Sequence, residues 1–148
     1  LGQPIYAFTT VLAAILLFSG LGSLASSRKR ISIRWTLPLV VVTILLYPLG
    51  LPVLFQALLG APLAVRLVAT TFALAPLGFL MGTAFPNGLA WLRDRAPSLI
   101  PWAWAVNGCT SVLASILAAM LALSFGFSWV LIAGALAYAG AWAALRWR

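Results

Sequence analysis

The chain carries no charged residue before Arg28, none between Arg34 and Arg66, none between Arg66 and Arg93, and none between Arg95 and Arg146. Each of these runs is near or above the ~20 residues that an α-helix needs to cross ~30 Å of hydrocarbon. A water-soluble domain needs a large polar surface, yet 64% of these 148 residues are hydrophobic and 7% are charged. Mean hydropathy is +1.13. The pattern predicts an all-α fold, a polytopic membrane helical bundle of about five transmembrane helices in one domain.

The formal net charge of +8 does not point to nucleic acid. The basic residues sit at the ends of apolar runs and form no stripe or helix face, so they read as topology determinants. Histidine is absent and Cys109 is the single cysteine, inside an apolar run. That removes a disulfide framework and the common His/Cys zinc sites, and a Cys–His nucleophile with them. No metal, cofactor or catalytic constellation is expected. The first residue is Leu1 with no initiator methionine, so the sequence reads as processed or as part of a longer protein.

The first span is expected over residues 5–25, with Ser19, Gly20, Gly22 and Ser23 gathered near its end. Small side chains let two helix backbones approach closely. A signal peptide is rejected, because the basic group Arg28, Lys29, Arg30 and Arg34 follows the apolar run. The second span, 36–59, holds Pro38 in its first turn and Pro48, Gly50 and Pro52 deeper. These should kink or open the helix, either as a structural bend or as the lining of a cavity. The third span, 67–89, carries Pro76 and then Gly78 and Gly82, a G-x-x-x-G spacing suited to close helix crossing. Pro86-Asn87-Gly88 marks its expected exit, and Asn87 is given no role.

Asp94, between Arg93 and Arg95, is the only acidic residue and cannot support a two-carboxylate mechanism. The fourth span, 101–123, places Asn107, Thr110 and Ser111 on one face, continued by Ser115 and flanked by Gly108. Such a face in lipid should point at another helix, through interhelical hydrogen bonds from Asn107 or through a bound ligand. The fifth span, 129–145, repeats Ala133, Ala137 and Ala141, and Gly134 and Tyr138, at four-residue spacing. Trp35, Trp91, Trp102, Trp104, Trp129 and Trp147 suit the membrane–water interfaces. The basic loops around Arg28–Arg34 and Arg93–Arg95, with the C-terminal Arg146 and Arg148, oppose Arg66 alone. The positive-inside rule then puts the N-terminus outside and the C-terminus in the cytoplasm.

The segment 76–89, PLGFLMGTAFPNGL, and the segment 101–115, PWAWAVNGCTSVLAS, together resemble the late membrane region of bacterial membrane-bound spermidine synthase-like proteins. The first span, with its Ser19–Ser23 cluster, looks like the start of such a region. The resemblance implies a multi-spanning inner-membrane protein whose catalysis belongs to a soluble aminopropyltransferase-type domain. The glycine-rich nucleotide loop and acidic residues of that domain are not in this sequence, and Gly20-Leu21-Gly22 lies too deep in an apolar helix to cradle a cofactor.

The expected function is a non-catalytic membrane anchor, scaffold or assembly domain. Its partners would be the lipid bilayer and other membrane subunits, or the rest of a fused polypeptide. The alternative is part of a secondary transporter or substrate conduit lined by Pro48–Pro52, Pro76–Gly82 and Asn107, Thr110 and Ser111. An enzyme acting through this chain itself is disfavoured by the missing histidine and the single carboxylate.

Overall fold

The structure, a computed structural model, describes residues 4–28 and 32–146; Lys29, Arg30, Trp147 and Arg148 lie outside the described residues. Five helices make up the fold: α1 (Pro4–Arg28), α2 (Ile33–Ala57), α3 (Leu63–Arg93), α4 (Ile100–Phe125) and α5 (Phe127–Arg146). A single 3₁₀ turn, Pro97–Leu99, precedes α4. All five helices are long and apolar enough to cross a membrane. Large apolar side chains cover the outside, with Leu123 89%, Phe127 80% and Ile5 76% exposed. A surface of that kind suits hydrocarbon and not water.

The helices outrun the apolar stretches that define them. α1, α3 and α5 each end on an arginine in the last turn, Arg28, Arg93 and Arg146. A cation there is favoured by the negative end of the helix dipole. α2 begins at Ile33, so Pro38 lies inside the helix and not in its first turn. The Pro86-Asn87-Gly88 triplet does not end α3, which stays helical to Arg93. In water this triplet is a turn former. Within the apolar α3, Pro86 removes only the bond to Gly82's carbonyl, and packing of Asn87 in the same turn against α1 and α2 offsets the cost.

The order of packing is not the order of the chain. α1 packs chiefly on α3, α3 on α2, α2 on α5, and α5 on α4, which also touches α3 lightly. α2 therefore sits centrally, and Val40 and Ile44 form the core with Ala135 of α5. Leu77 and Leu80 of α3 and Leu131 and Tyr138 of α5 close around them. The stripe that α5 buries is Leu131–Ala135–Tyr138, so Ala133 and Ala137 face outward and Ala141 is exposed at its margin. α4 is the marginal helix and has no buried residue.

The α1–α3 crossing is the closest approach of the bundle. A Cβ placed on Gly22 would overlap the carbonyl of Phe79, and one on Gly82 would overlap the backbone of Ser19. At Gly78 it would stand 3.1 Å from the Cβ of Phe18. Gly20 has open space around it. Between α4 and α5 the whole connection is Gly126, at φ 88° and ψ 166°, a region that only glycine adopts readily.

Gly82→Ala should therefore force α1 away from α3 and lower stability by about 1–3 kcal/mol. Gly20→Ala should be neutral or slightly stabilising, since alanine is the better helix former. Unfolding of both variants in mixed detergent micelles, followed by circular dichroism, checks the pair.

Candidate functional site

Three buried polar side chains meet where α1 and α3 end and α2 begins: Ser26, Thr36 and Asn87. The Ser26 hydroxyl donates to Asn87 Oδ1. Asn87 Nδ2 donates to Thr36 Oγ1 at 3.4 Å, and Thr36 Oγ1 donates to the Ser32 carbonyl at 3.3 Å. One amide thus joins three helices. A buried polar group left without its partner costs about 1–3 kcal/mol, so each member needs the others. Among the described residues, no buried side-chain nitrogen or oxygen lacks a partner.

The same end of the bundle collects charge. Arg28 ends α1, Arg34 stands in the first turn of α2, and Arg93, Arg95 and Arg146 lie at or just beyond the ends of α3 and α5. A cavity of 610 Å³ opens there, walled by Ser26, Ser32, Asn87, Arg93, Asp94 and Arg95. It adjoins an apolar groove of 760 Å³ that runs along α3 toward α4 and α5. Ile33, Leu89 and Trp91 belong to the walls of both. The Arg95 guanidinium lies over the Trp91 ring, 4.6 Å from its centre, which sets a positive charge on the rim between them. Phe85 of α3 meets Trp104 of α4 edge to face at 4.9 Å and helps hold α4 beside the groove.

Asn107 is half-buried and lines the groove with Gly82, Ala103 and Tyr138. Its side chain bonds to no other helix; only its main-chain carbonyl accepts, from Thr110 and Ser111. Thr110 also bonds to the Val106 carbonyl, and Ser115 to that of Val112. Gly108, Cys109, Thr110, Ser111 and Ser115 are exposed. The expected interhelical bonding by this face is thus replaced by back-bonding to its own helix. α4 stands at the margin of the bundle, with no helix close enough to bond.

Of the residues expected to line a conduit, Met81, Gly82 and Asn107 reach the groove, whereas Pro48, Pro52, Pro76, Thr110 and Ser111 line neither cavity. Pro76 instead opens a turn of α3. It offers no N–H to the carbonyl of Phe72, and in that opened turn the Tyr47 hydroxyl donates to the carbonyl of Ala73 at 2.6 Å. Trp35, Trp102, Trp104 and Trp129 are exposed, Trp91 is half-buried, and Trp147 lies outside the described residues.

Asn87→Ala should cost about 1 kcal/mol, because it removes the acceptor of the Ser26 hydroxyl and the donor to Thr36 Oγ1. Asn107→Ala should cost much less, since that amide holds no other side chain. Reversible unfolding of the two variants by detergent titration measures the difference.

Compared with protein-family models, curated proteins and solved structures, the chain has no match.

Proposed function

We propose that this chain is a non-catalytic, membrane-embedded assembly module of a bacterial inner membrane, and that α4 carries its docking face. The supporting observation is the exposure of Gly108, Ser111, Ser115 and Ala119 along one flank of α4. Their side chains are small, and the serines have already spent their hydroxyl protons on backbone carbonyls of their own helix. In lipid such a flank gains little from acyl chains and much from close contact with another helix backbone. The partner is a transmembrane helix of another subunit or domain. The resemblance to spermidine synthase-like membrane proteins supports a partner that carries the catalytic part.

In this reading the arginine-rich end faces the cytoplasm and Arg66 the opposite side, so the N-terminus is outside. Arg66 donates from Nε to the carbonyl of Ala61 at 2.8 Å, which ties that lone outer charge to its turn. A second reading, a substrate conduit, draws on the groove beside Gly82 and Asn107.

A photo-crosslinking residue at Ser111 or Ser115 should give protein adducts in native membranes, while one at Leu113, on the opposite side of α4, should give lipid adducts. Ser111→Leu together with Ser115→Leu should cut the assembled fraction roughly ten-fold. Lipid adducts from both sides, with assembly unchanged, would refute the docking face.

A further inference from the structure

We infer that the apolar groove and the basic cavity beside it form a binding site for one anionic phospholipid. The acyl chain would lie along the groove, and the phosphate would rest between Arg93 and Arg95. This rests on the membrane reading above but not on the docking face of α4, because Gly108, Ser111 and Ser115 line neither cavity.

The argument starts from the two halves of the site. The groove, 760 Å³, is walled mainly by carbon: Leu37, Met81, Phe85 and Leu92 with Ala141 and Leu145. It is open rather than enclosed, so in a bilayer acyl chains reach it directly. The adjoining cavity is the more polar of the two, adding Ser26, Ser27, Ser32 and Asn87 with Arg93 and Arg95 to its apolar walls. Asp94 is the one acidic group in its wall, against those two arginines. A free anion would fill only the second half, and a hydrocarbon chain only the first. A molecule with both parts covers both.

Trp91 and Arg95 make the junction. The indole belongs to both walls, and the guanidinium stacked on its face stands at the level where a lipid passes from chain to phosphate. Arginine presents several donors in a fixed fork that suits phosphate oxygens. Basic pockets between membrane helices on the cytoplasmic side attract anionic headgroups for the same electrostatic reason.

The test uses the full chain, delipidated in neutral detergent and returned to vesicles of phosphatidylglycerol or phosphatidylcholine. Retained lipid is counted by native mass spectrometry after re-extraction. One phosphatidylglycerol should stay bound, and phosphatidylcholine should not. Arg93→Gln with Arg95→Gln should weaken retention roughly twenty-five-fold, while the corresponding double lysine variant keeps it. Ala141→Trp, which fills the exposed groove without touching a charge, should also lose the lipid. Arg146→Gln, at the same end but outside both cavities, should not. Equal retention of the two lipids overturns the inference, and so does an Arg146→Gln loss as large as that of the pair. Full retention by Ala141→Trp overturns it too, as does displacement of the lipid by inorganic phosphate at matching concentration. A protein that floats with neither vesicle refutes the membrane reading as well, whereas one that floats without selectivity refutes this site alone.

Discussion

The fold depends on two places where side chains are missing. Gly22 on α1 and Gly82 on α3 let the two backbones touch, each against a main-chain atom of the other helix. Helices in hydrocarbon gain nothing from burying apolar surface away from lipid, so dispersion at short range has to hold them. The crossing also sets what lies along both helices. It brings Ser26 to Asn87, and Gly82 at the crossing forms part of the groove wall together with Ile15 and Ser19 of α1.

Polar atoms are dealt with inwardly or locally, as an apolar surround would require. Thr43, Thr70, Thr71, Thr83 and Thr110 all donate to carbonyls within their own helices. Beside Pro76, the Tyr47 hydroxyl of α2 donates to the Ala73 carbonyl of α3. Among the described residues, side chains bond from helix to helix at two places, Tyr47 to the Ala73 carbonyl and the Ser26–Asn87–Thr36 chain at the arginine-rich end. Helix packing is therefore close and dry at the α1–α3 crossing, and polar where the basic cavity begins.

Five helices were legible in the sequence because uncharged length is a local property that hydrocarbon thickness turns into structure. The Gly78/Gly82 spacing and the small residues around Gly22 were legible for the same reason, although nothing local pairs them. Asn87 was not. Its partners lie 61 and 51 residues away, and Pro-Asn-Gly reads as a turn when water is assumed to surround it. Ala133, Ala137 and Ala141 formed a convincing stripe in a helix whose every face is apolar, so period alone could not say which stripe is buried. The polar face of α4 was visible, but whether a helix stands opposite it depends on the path of the whole chain.

The α1–α3 pairing also carries a consequence for how the protein is made. α1 and α2 leave the ribosome before α3, on which both pack, so α1 emerges without its main partner and α2 without either α3 or α5. Until the stretch around Asn87 has been synthesised, the Ser26 hydroxyl can turn only to its own backbone, and Gly22 presents an empty notch to lipid. Biogenesis of this bundle is thus a matter of waiting, with α3 joining α1 to α2 and α5 then completing the packing of α2.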